Sequence, residues 1–233
     1  GSIESNDIPT IDATGLCVAP GFFDIHVHLR EPGTEEAETL RSGGCAAVAG
    51  GFTAIAAMPN TVPPNDCASM TQFIVSQAKR DSPARIFPIG AITKGQAGES
   101  LAEIGDMVEA GIVAISDDGK PVMNARLFRR SMEYSRLFDI PVIQHCEDLA
   151  LSFGGVIHEV LVSTRLWVKG IPAAAEDSIV ARDLILAEVT GARYHVAHLS
   201  TSGAVELVRR AKKSGFPVSA EVTPHHFTLT EEA

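Results

Sequence analysis

Two histidines one residue apart, His26 and His28, lie in the stretch Gly21-Phe22-Phe23-Asp24-Ile25-His26-Val27-His28-Leu29-Arg30. In an extended strand side chains alternate faces. Both imidazoles therefore project to one side, about 7 Å apart, while Ile25, Val27 and Leu29 project to the other. Two imidazoles on one face of a rigid strand can turn onto a single metal ion. Taken alone, His-x-His more often describes two polar residues on a half-exposed strand, so its meaning depends on where the other reactive side chains fall. These are Arg30, Asn60, Asp117, Asp118, His145 and His198. Four imidazoles and a carboxylate suit zinc or a similar borderline divalent ion. A carboxylate can bridge two ions, which makes a two-metal site about 3.5–4 Å across feasible.

The elements that must position these residues follow from periodicity and punctuation. After the first strand, a helix is predicted over Thr34 to Ala49, with Glu35, Glu36 and Glu38 in its first turn and Gly50-Gly51 ending it. A buried strand, Thr53 to Met58, closes at Pro59-Asn60. A helix over Ala68 to Lys79 and a strand over Ala84 to Ile89 come next. Ser100 and Glu103 read as a capping box for a helix that Gly111 stops. A strand from Ile112 to Ile115 leads to Ser116-Asp117-Asp118-Gly119. A helix from Asn124 to Phe138 precedes the strand Pro141 to His145. A long connection, Leu149 to Pro172, is followed by a helix over Ala173 to Thr190 and a strand over Tyr194 to His198. Ala204, Leu207, Val208 and Ala211 then recur at i, i+3, i+4 and i+7, and Val218 to Val222 forms a seventh strand. Strands and helices alternating at intervals of roughly 25–30 residues predict a parallel sheet with right-handed crossovers. Seven such steps without a reversal favour a (β/α)8 TIM-type barrel with one strand missing.

In such a barrel the active site lies at the carboxyl ends of the strands. His26, His28, Arg30, Asn60, Asp118, His145 and His198 all fall there. Each has a plainer reading as well. His145 alone fits a hydrogen-bonded core histidine, and Asp117 and Asp118 fit turn residues before Gly119. His195 and His198 differ by three, so strand alternation puts them on opposite sides. His198 is taken as the inward one and His195 as a structural residue outside. His225 and His226 read as surface or supporting residues, His158 as solvated, and Cys146 as a small buried thiol.

Composition narrows the class. The chain has 233 residues, 45% of them hydrophobic, enough for a large core. With 19 basic against 29 acidic residues it carries a formal charge of −10 and has no basic block. Nucleic acid and anionic membranes are therefore excluded as expected partners. Cys17, Cys45, Cys67 and Cys146 form no Cys-x-x-Cys pair and read as reduced thiols, consistent with an expected cytoplasmic location. No signal peptide or apolar run of membrane-spanning length is visible. Gly1-Ser2 reads as a tag scar, and Thr230-Glu231-Glu232-Ala233 as the start of a helix, so a piece of a longer chain is expected.

The ordered motifs carry a resemblance. Phe23 to Gly33 (Phe-Asp-Ile-His-Val-His-Leu-Arg-Glu-Pro-Gly) is similar to the opening signature of dihydroorotases in the cyclic amidohydrolase superfamily. Met58-Pro59-Asn60-Thr61, Ser116-Asp117-Asp118-Gly119, His145-Cys146-Glu147-Asp148, Gly170-Ile171-Pro172-Ala173, His198-Leu199-Ser200-Thr201 and Glu221-Val222-Thr223-Pro224-His225-His226 follow in the family's order. The resemblance runs from about residue 14 to the end and is greatest to the longer bacterial-type, class I enzymes. It implies a metal-dependent hydrolase barrel with two Zn2+ ions, interconverting N-carbamoyl-L-aspartate and L-dihydroorotate in pyrimidine synthesis. By motif, His26 and His28 would hold one zinc, His145 and His198 the other, and Asp118 would bridge them. Arg30 and Asn60 would hold the substrate carboxylate, a role that suits the two-pronged guanidinium.

The family's acid–base aspartate ends an eighth strand and is expected beyond Ala233, so no catalytic proton donor is identified here. The implied division is a remnant of a small β-sandwich over residues 1–17 and a barrel over 18–233, incomplete at its end. Weak metal binding and poor turnover are expected of this chain alone. A small-molecule substrate is the expected ligand, and a homodimer or an aspartate transcarbamoylase partner is compatible with the resemblance. Two rival readings follow from the same residues. One is an allantoinase or dihydropyrimidinase, against which Arg30 and the absence of a lysine on strand four both weigh. The other is a non-catalytic scaffold for aspartate transcarbamoylase, which would be expected to have lost metal ligands.

Overall fold

Short apolar strands separated by amphipathic helices bury both sheet faces either with helices on each side or with helices outside and the strands curling around an inner core. The computed structural model describes residues 9–230 and has the second arrangement. In chain order the first elements are β1 (Phe22–Val27), α1 (Leu40–Ala49), β2 (Phe52–Ala57), α2 (Ala68–Asp81), β3 (Arg85–Pro88), α3 (Ile104–Ala110) and β4 (Ile115–Ser116). Then come α4 (Ala125–Ser135), β5 (Val142–Gln144), α5 (Leu149–Ser152), β6 (Ile157–His158), α6 (Leu161–Leu166) and β7 (Gly170–Ile171). The last are α7 (Ala174–Thr190), β8 (Tyr194–Val196), α8 (Ser202–Lys213), β9 (Val218–Ala220) and α9 (Pro224–Thr228). No helix among the described residues is long and apolar enough to cross a membrane.

Among the described residues, the wall of the barrel is built from seven parallel strands in sequential order. β1, β2 and β3 form one ladder and β4, β5, β8 and β9 another. A parallel bridge between Gly90 and Ile115 joins the two. At Gly90 a Cβ would lie 2.9 Å from Ile112 Cδ1 and 3.0 Å from the Met107 thioether, so α3 packs close here only because the residue has no side chain. β6 and β7 pair with each other, away from the wall.

Alternation decides the two faces of the wall. Val142, Tyr194 and Val218 share a register and point out to the helices, where they pack with Phe128, Met132, Ile179, Val180, Ala204 and Val208. Ile143 points inward with Ala56, Met58, Ile89, Ala114 and Ala197. His195 is in register with Ile143 and with Ser219, which puts it on the inner face. The helix ends follow local chemistry. Asn124 accepts from Arg126 and Leu127 N–H at the start of α4, Thr201 caps α8, and left-handed Gly111 and Gly191 end α3 and α7.

Three segments differ from the sequence reading. Residues 31–38 are turns, and α1 begins only at Leu40, with Thr39 as its cap. Gly33, at φ +110°, lies so close to Val62 that a Cβ there would meet its carbonyl oxygen, and Val62 N–H donates to Pro32 C=O at 2.9 Å. This tertiary contact prevents a helix there, so Glu35, Glu36 and Glu38 lie before the first turn of α1, and an earlier acid serves it instead: Glu31 Oε2 accepts from Leu40 N–H at 2.8 Å. The Ser100 capping box does not form. Lys94 N–H donates to Ser100 C=O and Ala102 N–H to Ile92 C=O, folding 100–102 back on 92–94, so Glu103 becomes the cap of α3. The 149–172 connection is not structureless and carries α5, β6, α6 and β7. The β-sandwich remnant over 1–17 falls partly outside the described residues; residues 9–17 include a turn at 14–15 and no strand. The tag scar at Gly1-Ser2 and the helix start after Thr230 also lie outside them.

Candidate metal centre

Five of the seven candidate side chains converge at the carboxyl ends of the strands. β1 delivers His26 and, just past its last residue, His28. The turns after β4, β5 and β8 deliver Asp118, His145 and His198. Asp118 is 3% exposed and lies between them. Its Oδ2 is 3.3 Å from His26 Nε2 and 3.4 Å from His28 Nε2. Its Oδ1 is 3.2 Å from His198 Nε2 and 3.7 Å from His145 Nδ1, and those two nitrogens are 3.0 Å apart. The donors thus fall into two groups, His26–His28–Asp118 and Asp118–His145–His198, sharing one carboxylate. Zinc bonds of 2.0–2.1 Å in a tetrahedron set ligand atoms about 3.3 Å apart. The separations of 3.0–3.7 Å and the imidazole–carboxylate chemistry fit a pair of borderline divalent ions.

The Asp-Asp pair divides its work. Asp117 turns away from the mouth. Its Oδ1 accepts from Ile92 N–H at 2.9 Å and Thr93 N–H at 3.1 Å, and its Oδ2 takes the Thr93 hydroxyl. Burial nevertheless pushes its carboxyl above the usual range. Asp118, with its own N–H held by Ser116 Oγ, faces the imidazoles.

His198 reaches the mouth because its backbone leaves the strand region, at φ +35°. That break removes the period-two argument that set it opposite His195. His195 does not bond outside the barrel: it is buried on the inner face, with Nδ1 2.8 Å from Ser219 Oγ. The following Ser200 and Thr201 are held by Glu176 in the first turn of α7.

The far ring nitrogens are also held. Glu221 Oε1 is 2.5 Å from His26 Nδ1, Asn60 Oδ1 is 2.9 Å from His28 Nδ1, and Glu147 Oε2 is 2.9 Å from His145 Nε2. Such partners orient an imidazole and fix which nitrogen is free to bind a metal. Asn60, assigned from the motif to substrate, therefore also braces His28. The sequence reading gave no role to Glu147 and Glu221. The quoted motifs His145-Cys146-Glu147 and Glu221-Val222-Thr223 contained both, and i, i+2 spacing was the only local signal for Glu147.

Without metal the cluster is a network of protons and charge. Burial of His26 opposes its charged form, but bonds to Asp118 and Glu221 outweigh it and raise His26 to about 9. Against the same burial cost, His195 and His26 lower Glu221 to about 2. Despite burial, bonds from His145, His198 and His26 hold Asp118 far below the usual carboxylate range. Burial lowers His28, with the nearby cations of His26 and Arg30 adding to it against the Asn60 bond. Arg30, at φ +57°, thus stands within electrostatic reach of His28. Beside this cluster opens a cavity of about 750 Å³, lined among others by His145, Glu147, His158, His198, His225 and His226. Cys146 points the other way. It is buried against the Tyr194 hydroxyl, and burial pushes its thiol well up, so it is no nucleophile.

A parallel α/β wall with its helices outside is the architecture of a TIM-type barrel. The L-hydantoinase (dihydropyrimidinase) of Arthrobacter aurescens shares the fold with a TM-score of 0.81 at 22% identity, over 98% of this chain and 53% of that one. A D-hydantoinase crystal structure does so with a TM-score of 0.78 at 21% identity, over 99% and 52%. Sequence comparison is more specific. The dihydro-orotase-like family matches residues 15–204, and the chain belongs to that family. A dihydroorotase of Solibacter usitatus is 60% identical over 230 residues, covering 99% of this chain and 54% of the relative. A dihydroorotase of Syntrophotalea carbinolica is 55% identical over 231 residues, covering 99% and 54%. The chain therefore spans about half the length of the curated relatives it matches.

Proposed function

We propose that this chain carries the metal centre of a zinc-dependent cyclic-amide hydrolase that interconverts L-dihydroorotate and N-carbamoyl-L-aspartate. The observation that carries the reading is the sharing of Asp118 by two histidine pairs at the barrel mouth. His26 and His28 would hold one Zn2+, His145 and His198 the other, and Asp118 would serve both. Bound zinc ions supply a Lewis acid for the ring carbonyl and a water acidic enough to attack near neutral pH. Around them, Glu221, Asn60 and Glu147 keep the imidazoles in register, and the adjoining cavity admits a small ring. In ring opening, the amide C–N bond breaks, water oxygen joins the carbonyl carbon, and a water proton passes to the ring nitrogen. Arg30 holds the substrate carboxylate through paired N–H donors, with Asn60 beside it. We assign residues 18–233 to the barrel and 1–17 to a small β-sandwich remnant.

Calorimetric binding of L-dihydroorotate to the zinc-loaded chain tests the assignment, with 5,6-dihydrouracil, the same ring without the carboxylate, as comparison. Hydrogen bonds to a charged group contribute about 1.5–3 kcal/mol. Arg30→Met should therefore weaken L-dihydroorotate by roughly ten- to 150-fold and leave dihydrouracil, already weak, unmoved. Equal binding of the two rings, or an Arg30→Met variant that binds L-dihydroorotate normally, would refute it.

A further inference from the structure

Glu221 belongs to neither group of candidate ligands, yet it touches both halves of the site. It follows β9, and its backbone is tied on both sides to the end of β8. Its N–H donates to Val196 C=O at 3.1 Å, and its C=O accepts from Leu199 N–H at 2.9 Å. Glu221 thus clasps the turn in which His198 adopts φ +35°. Its side chain reaches across the mouth, where Oε1 lies 2.5 Å from His26 Nδ1. Oε2 stands 3.4 Å from His195 Nε2, a buried nitrogen with no well-formed hydrogen bond of its own.

The consequence for His26 is chemical. An imidazole whose Nδ1–H is given to a carboxylate keeps its lone pair on Nε2. Nε2 is the atom that faces Asp118 Oδ2 at 3.3 Å. β1 and β9 share no backbone ladder among the described residues. The Glu221–His26 bond therefore links two strands that the sheet does not pair.

We propose that Glu221 is a positioning residue for the metal centre. Its side chain fixes the Nε2-donating form and the ring orientation of His26, from a backbone anchored to the turn carrying His198. The inference rests on the two-metal reading given above and goes beyond it by assigning the positioning of one ligand to a side chain that binds no ion. The experiment is a Zn2+ titration of the metal-free 233-residue chain in competition with a chromophoric chelator, comparing the unsubstituted chain with Glu221→Ala and Glu221→Gln.

Loss of such a partner costs about ten- to 100-fold in metal affinity. Glu221→Ala should weaken one of the two binding steps by that factor and leave the other near its original value. Glu221→Gln, whose amide oxygen still accepts from Nδ1–H, should recover most of the loss. A merely structural role would weaken both steps together, lower the unfolding midpoint of the metal-free chain, and give no recovery with Gln; that pattern would overturn the proposal. So would two unchanged steps in Glu221→Ala. If Glu221→Ala does not fold, Glu221→Asp, which withdraws the carboxylate by one methylene, should show the same single weakened step, and an unmoved step would overturn the proposal. A chain that binds no zinc before substitution would remove the two-metal reading itself, an outcome distinct from these.

Discussion

Replacing Asp118 by Asn keeps the shape of the side chain and removes the charge on which two histidine pairs converge. The carboxylate presents Oδ2 to His26 and His28 at 3.3 and 3.4 Å, and Oδ1 to His198 and His145 at 3.2 and 3.7 Å. An amide has one acceptor and one donor end. Whichever way the substituted amide turns, one histidine pair faces an NH2 that cannot ligate a cation. Asp118 is 3% exposed, so solvent does not screen the change. Removing one member of a buried charged pair costs about 3–5 kcal/mol. At 1.4 kcal/mol per decade that is a loss of roughly a hundredfold to several thousandfold in affinity. Equilibrium dialysis over a range of free Zn2+ up to saturation, followed by metal analysis and a chelator titration, measures it. We expect two ions per unsubstituted chain and at most one, more weakly held, in Asp118→Asn. Two ions held with unchanged affinity would refute the shared-carboxylate reasoning.

The neighbouring aspartate should behave in the opposite way. Asp117→Ala strands the buried Ile92 and Thr93 N–H groups, each worth about 1–3 kcal/mol when left unsatisfied. Chemical denaturation should show that loss, while the zinc stoichiometry of the folded fraction stays the same. The metal-free chain should also show a defined pH profile. His26 rises on folding from 6.5 to about 9, so its stabilisation is complete below pH 6.5 and is lost as pH climbs through 9. Glu221 falls from 4.5 to about 2, so its contribution is complete above pH 4.5 and is lost as pH falls through about 2. Both contributions are whole between pH 4.5 and 6.5, and denaturation midpoints across pH 3–10 should show a decline on the alkaline side that Glu221→Gln reduces. Zinc added near pH 7 in weak buffer should release a proton from His26, because a ligating imidazole must be neutral.

Much of this was legible in the sequence because strand and helix periods are local. The i, i+3, i+4, i+7 stripe of α8 buries Ala204, Val208 and Ala211 as its spacing implies. The strand-end positions of His26, Asp118, His145 and His198 followed from the alternation of elements. What escaped was set by distant contacts or by single backbone angles. The start of α1 depends on Gly33 meeting Val62, some thirty residues away. The side taken by His198 depends on one positive φ that no residue pattern announces, and His195 was misplaced for the same reason. Asp117 and Asp118 are adjacent and chemically identical, and only the position of the Ile92–Thr93 turn separates their roles. Glu221 and Glu147 are carboxylates just after strands, and their value lies in the imidazoles they face, His26 across the barrel for Glu221 and neighbouring His145 for Glu147.

On the proposed reading His26, His28, Asp118, His145 and His198 surround two metal ions. A crystal of the zinc-loaded chain, measured on both sides of the zinc absorption edge, tests it most directly. Two anomalous peaks about 3.5–4 Å apart are expected to flank the Asp118 carboxylate, one against His26 and His28 and the other against His145 and His198. A single peak, or zinc bound away from Asp118, would contradict it.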